Sequence, residues 1–206
     1  MTGVQTCALP ILYQGEEIVM TNSVFGSIDE MKDPVSHFIY DMMTKDFHFP
    51  HNLAFKFICS GARDHARTPM QWDDTVNAGF NSGAQPWQSI NPNYREINAH
   101  RDLTSDKSIY RFYQQLLALK KSDKAALYGS VTEYEEDNKR IIMYSRTYEG
   151  RRLLIAGNFS RISTAFRIPD EFRLEGLKPL LVNYGKPVVR REMRLRPYQA
   201  VVFECL

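Results

Sequence analysis

The feature that most constrains this chain is a change of hydrophobic period at about residue 125. Before it, apolar residues recur at three- and four-residue steps. Ile109, Phe112, Tyr113, Leu116, Leu117 and Leu119 make one face of a helix predicted over Ser105–Ser122. Ser105 is placed to cap it, Asp106 suits its first turn, and Lys120, Lys121 and Lys124 suit its end. Beyond it, short β-rich runs follow one another: 129–134, 140–147, 153–159, 164–168, 180–182, 192–195 and 198–204. Turn signals part them at Asp137-Asn138, Glu149-Gly150, Pro169-Asp170 and Gly185-Lys186. Many short strands at that spacing predict an antiparallel β-sandwich. A helical, loop-rich part therefore precedes an all-β part.

Two more helical patterns lie upstream, over Asn52–Gly61 and His37–Met43. The stretch between them and the long helix is dense in turns, at Asn77-Ala78-Gly79 and Asn81-Ser82-Gly83, with prolines at 69, 86 and 92. At 206 residues the chain has room for one large or two small domains. Its 43% hydrophobic and 24% charged residues place it with folded globular chains rather than disordered ones.

With 26 Lys and Arg against 24 Asp and Glu, the net charge of +2 offers no attraction to phosphate backbones or anionic lipid. Neither a nucleic-acid partner nor a membrane partner is expected. Cys7, Cys59 and Cys205 form no disulfide framework or metal-ligand spacing, which points to a reducing, cytoplasmic compartment. Cys59 reads as a small buried hydrophobe and Cys205 as part of a frayed terminus. His37, His48, His51, His65 and His100 also lack ligand spacing, so neither metal nor cofactor is expected. Residues 1–11 stand apart. Back-translated from a GTG start, they resemble a short-read sequencing adapter base for base, and they are read as a non-native leader.

Several blocks carry a resemblance. They are Tyr13-Gln14-Gly15-Glu16-Glu17-Ile18-Val19-Met20-Thr21-Asn22, then Ala62-Arg63-Asp64-His65-Ala66-Arg67-Thr68-Pro69-Met70-Gln71-Trp72-Asp73, then Asn77-Ala78-Gly79-Phe80. Asn91-Pro92-Asn93-Tyr94 and Leu195-Arg196-Pro197-Tyr198-Gln199-Ala200-Val201-Val202-Phe203 extend it. In this order the blocks resemble glycoside hydrolase family 13, in its oligo-1,6-glucosidase and α-glucosidase branch. The resemblance runs from Leu12 to Leu206. It implies that residues 12–124 are the last part of a (β/α)8 TIM barrel and residues 125–206 a C-terminal β-sandwich domain. The first block would then follow the eighth barrel strand, and the Ser105–Ser122 helix would be the eighth barrel helix.

The resemblance also implies a chemistry. Such enzymes retain configuration by using one carboxylate as nucleophile and a second as acid and then base. The family's motifs for both have no counterpart here, so no residue of this chain is assigned a catalytic role and the chain alone is expected to be inert. The parent would hydrolyse terminal α-1,6 or α-1,4 glucosidic bonds of short, isomaltose-like oligosaccharides. A non-catalytic scaffold of the same fold, such as a transporter heavy-chain ectodomain, is the alternative.

Two residues are carried over as substrate-binding candidates, Arg63 and Arg67. A guanidinium can donate to adjacent sugar hydroxyls, each such bond contributing about 1.5–3 kcal/mol. Structural pairings stand beside that reading: Arg63 with Asp64, Glu16 or Glu17, and Arg67 with Glu16 or Glu17. The two glutamates are read as bracing their own loop. Trp72 and Trp87 are either sugar-stacking faces or packing. The acidic run Glu133, Glu135, Glu136 and Asp137 reads as a solvated strand end.

Overall fold

A computed structural model describes residues 12–134, 137–185 and 187–206. The leader at residues 1–11, with Cys7, and the middle of the acidic run lie outside the described residues. The chain divides into two compact units, one ending at Tyr110 and the other spanning Arg111–Leu206.

In the first unit, α1 (Pro34–Asp41) starts three residues earlier than the apolar period suggests. The reason is local chemistry. Asp33 caps the helix by accepting the Val35 amide at 3.2 Å, and Pro34 occupies the first helical position, where its missing N–H costs nothing. Past Asp41 the helix widens into a π turn over Met42–Asp46. α2 (His51–Gly61) matches the expected span within one residue. Phe25, Met31, Ile58 and Ala62 form the buried core here, with Ile39, Tyr40 and Phe55 packed against it.

A short helix, α3 (Ala99–Leu103), precedes α4 (Ile109–Ser122). α4 begins four residues later than expected, and Ser105 does not cap it; its Oγ accepts the Lys107 amide within the preceding turn. Asp102 takes the capping role instead. Its carboxylate accepts the amides of Ile109 at 3.0 Å and Tyr110 at 3.1 Å, and the Ser108 hydroxyl at 2.7 Å.

The second unit is built on strands β1 (Ser130–Tyr134), β2 (Ile141–Tyr148), β3 (Arg151–Asn158), β4 (Thr164–Arg167), β5 (Leu177–Val182), β6 (Glu192–Leu195) and β7 (Ala200–Cys205). A five-stranded antiparallel sheet has the order β1-β2-β3-β7-β5, and β4 pairs with β6 in a separate two-stranded sheet. Inward residues of both sheets make one core, among them Met143, Leu154, Phe166, Leu195 and Phe203. On a second cluster, Leu153, Leu181 and Val202 pack with Phe112 and Leu119 of α4. A short helix, α5 (Lys124–Tyr128), joins α4 to β1 and is capped by Asp123.

Two strand expectations are corrected. β5 starts at Leu177, with Pro179 inside it at a bulge in the β5–β7 register; an edge strand tolerates proline because its outer N–H needs no partner. Cys205 is no frayed end: it lies in β7, opposite Arg152 and Leu177.

Candidate functional site

Charged groups of the motif blocks in the first unit gather around the turn after α2. Ala62 is extended, and Arg63–Arg67 then coil into a 3-10 turn. This places Arg63 and Arg67 four positions apart, above two buried carboxylates, Asp33 and Asp64. Arg63 donates through Nε to Asp33 Oδ2 at 2.6 Å and through Nη2 to Asp33 Oδ1 at 2.8 Å. Its side chain is 59% exposed while that of Asp33 is 3% exposed, so the guanidinium is anchored from below and open above. Arg67 Nη1 lies 3.9 Å from Asp33 and 4.0 Å from Asp64, close enough for charge attraction but too far for direct hydrogen bonds.

Asp64 is fully buried and accepts the backbone amides of Lys32 at 3.1 Å and Asp33 at 3.2 Å. It thereby ties the turn to the start of α1. Arg63's hydrogen bond holds the Asp33 carboxyl below its ordinary range, against the opposing effect of burial, and Asp33 in return raises Arg63.

Asp33 takes the place expected for Glu16 and Glu17, while Asp64 adds charge attraction to Arg63. Asp33, 30 positions upstream of Arg63, is the residue that sequence reasoning missed. The Asp33-Pro34 pair, a helix-start signal, was the visible sign of an ordered carboxylate there. Glu16 and Glu17 serve their own loop: the Tyr13 amide reaches Glu16 at 3.4 Å and the Gly15 amide reaches Glu17 at 2.9 Å.

The motif blocks are laced together. Tyr13 Oη donates to the Ala66 carbonyl at 3.1 Å, joining the first block to the second. The buried Gln71 amide donates to Asn93 Oδ1 at 3.0 Å and to the Ile97 carbonyl at 2.7 Å. Asn91 and Asn93 donate to the Thr21 carbonyl at 3.0 Å and the Thr21 hydroxyl at 2.8 Å. A cavity of about 330 Å³ lies along this seam, lined by Tyr13, Thr21, Ser60, His65 and Thr68. Arg63 and Arg67 stand outside its lining.

Asn77, Ala78 and Gly79 are successive left-handed residues, with φ of 52°, 56° and 68°. The turn they make presents the Ala78 carbonyl to the amides of Trp72 at 2.8 Å and Asp73 at 3.2 Å. Glycine suits position 79, where φ is 68° and a Cβ would sit 2.6 Å from the Asp73 carboxylate. Trp72 and Trp87 are both exposed. His65 meets the Cys59 carbonyl at 2.7 Å and His37 the Met31 carbonyl at 2.9 Å, both local contacts.

Residues 2–129 match the family model for the α-amylase catalytic domain. The oligo-1,6-glucosidase of Bacillus cereus is 38% identical over 198 residues, which are 95% of this chain and 35% of that enzyme. That of Halalkalibacterium halodurans is 40% identical over 196 residues, 94% of this chain and 35% of its own length. Among solved structures, the trehalose-6-phosphate hydrolase of Bacillus licheniformis superposes with a TM-score of 0.86 at 33% identity, over 94% of this chain and 35% of its own. This chain belongs to the α-amylase family, and it spans about a third of the length of the oligo-1,6-glucosidases it matches.

Proposed function

We propose that this chain is the C-terminal third of a retaining α-glucosidase that cleaves terminal α-1,6 or α-1,4 bonds of short, isomaltose-like oligosaccharides in the cytoplasm. The observation that carries the reading is the 38% identity to an oligo-1,6-glucosidase across almost the whole chain. In this reading residues 12–124 are the last part of the (β/α)8 barrel and residues 125–206 an antiparallel β-sandwich domain. The catalytic carboxylates belong to earlier strands of the parent, because barrel sites draw on the ends of several strands. Exposed Phe38 on α1 and exposed Leu53 and Phe57 on α2 support a missing cover. Burying each such side chain stabilises by about 1.5–3 kcal/mol, so a complete barrel would hide them.

Arg63 and Arg67 are proposed as sugar contacts on one wall of the parent's pocket. Asp33 fixes the Arg63 fork, and Arg67, with no carboxylate among the described residues within direct bonding distance, keeps donors open for hydroxyls. Residues 1–11 are proposed to be adapter-derived; the family match opens at residue 2, inside that leader, so the locus itself must decide.

The test is a long read upstream of the Leu12 codon, followed by assay of the reconstructed enzyme on isomaltose, maltose and trehalose 6-phosphate. A continuous frame with the family carboxylates and turnover of isomaltose is the expected result. Turnover of trehalose 6-phosphate alone would move the substrate class. An upstream membrane span without those carboxylates would make the chain part of a scaffold.

A further inference from the structure

The second unit carries a cleft that the proposed function leaves unused. It is open, about 550 Å³ in volume, and lies where the end of α4, the start of α5, the β2–β3 hairpin and β5 meet. Asp123, Lys124, Tyr148, Glu149 and Arg151 supply its polar lining and Leu180 part of its floor. Beside it, the Tyr128 ring stands 5.9 Å from that of Tyr148 at an angle of 47°, and Tyr128 is 62% exposed.

Three features suggest that these groups are arranged and not scattered. First, Arg151 is fixed: its Nε donates at 2.6 Å to Asp123, whose carboxylate is buried and also caps α5 through the Ala125 and Ala126 amides. Arg151 Nη2 lies 3.9 Å from Glu204, too far for a direct hydrogen bond, and the Arg151 side chain is 41% exposed. Second, Glu149 sits at φ 45° in the two-residue turn closing β2 and β3, ahead of Gly150 at φ 83°. That turn shape favours Asn, Asp or Gly at its first position, so Glu is there against local preference. Its carboxylate lies beside Tyr148 and pushes the phenol up from its ordinary range. Third, the Tyr148 ring, with that of Tyr128 tilted against it, shares the cleft lining with Glu149, Arg151 and Lys124.

That combination matches one ligand chemistry. The face of a glucose ring is apolar and suits an aromatic surface, while its rim of hydroxyls both donates and accepts. Successive α-linked glucose units turn relative to one another, as the two rings do. We propose that this cleft is a non-catalytic binding site for a linear α-glucosyl oligosaccharide. Tyr128 and Tyr148 carry adjacent glucose units, Glu149 accepts from their hydroxyls, and Arg151 and Lys124 donate to them. The ligand class rests on the proposed function; the site does not.

The test uses the full 206-residue chain with isomaltotriose and maltotriose, read by saturation-transfer NMR on the sugar protons and by titration. Tyr128→Ala and Glu149→Gly are each expected to weaken binding at least fivefold. Glu149→Gly relieves the left-handed strain, so its melting temperature should hold or rise, which separates lost binding from lost fold. A Lys45→Ala variant, altered only at an exposed position of the first unit, should bind as before. No transfer signal above a mannitol control, or affinity unchanged in both cleft variants, overturns the proposal. If the reconstructed enzyme turns over isomaltose while the cleft stays silent, this inference fails alone. If the cleft binds while that enzyme is inert on every α-glucoside, the proposed function fails and the site remains.

Discussion

Asp33 and Arg63, 30 positions apart, close a two-point ion pair, Nε to Oδ2 at 2.6 Å and Nη2 to Oδ1 at 2.8 Å. The pair joins the start of α1 to the turn that carries both arginines. Because Asp33 also caps α1, one carboxylate sets a helix end and a guanidinium orientation together.

Asp33→Asn separates those two roles, since asparagine caps helices as well as aspartate does. Arg63 holds the Asp33 carboxyl below its ordinary value of about 4. A depressed carboxylate contributes stability that is present above that ordinary value and lost as pH falls through the lower folded one. The variant should therefore unfold earlier than the parent chain at about pH 7, and the gap should close as pH falls through the lower folded value. Both tryptophans, Trp72 and Trp87, lie in the first unit, so their fluorescence during urea unfolding reads this directly. A gap independent of pH would show that the charge pair contributes nothing.

At the start of α4, Asp102→Ala should cost about 0.5–2 kcal/mol, the usual loss of a helix cap. Asp102 accepts two first-turn amides and the Ser108 hydroxyl. Ser105→Ala, removing the cap that spacing favours, should stay within about 0.5 kcal/mol. Urea midpoints of the two variants compared with the parent chain decide which residue starts the helix.

Those two residues show where sequence reading stops. The period of Phe112, Leu116 and Leu119 made the helix visible, because burying one face imposes a period, and β-rich runs between turn signals marked β2, β3, β6 and β7 to within two residues at each end. Helix starts were misplaced where the cap came from an earlier element, as with Asp102, or where a cap preceded the apolar period, as with Asp33. At the candidate site, the motif block singled out Arg63 and Arg67, but spacing cannot name a partner brought in by tertiary packing. Nearby Glu16 and Glu17 were the visible carboxylates; their short reach is spent on the Tyr13 and Gly15 amides.

Two glycines of the second unit should respond to a methyl group to different degrees. A Cβ on Gly129 would lie 2.4 Å from the Ala125 carbonyl oxygen and 2.9 Å from the Thr147 nitrogen, both backbone atoms that cannot swing aside. Gly129→Ala should cost about 3 kcal/mol, at the upper end for overpacking. Gly150 has nothing within 4 Å of its Cβ position but sits at φ 83°. Gly150→Ala should cost only about 1–2 kcal/mol of left-handed strain. Far-UV circular dichroism during thermal unfolding ranks them, and equal losses would contradict the packing at Gly129.

Cys205 provides a probe of β7. Burial pushes its thiol up to about 11, while Arg152 and Arg151 pull weakly the other way. At about pH 8 a thiol of ordinary pKa near 8.5 is roughly one-quarter thiolate, and one near 11 only about a thousandth. In a Cys7→Ser, Cys59→Ser background, iodoacetamide should therefore modify Cys205 roughly two hundredfold more slowly than an exposed thiol. The rate should climb about tenfold per pH unit, without levelling, to about pH 10. Denaturant should restore ordinary labelling, because the shift arises from burial beside Arg152 and Leu177 in the sheet. A plateau near pH 9 in the folded chain would mean that β7 opens often enough to expose the sulfur, and the pairing of its last residue would have to be given up.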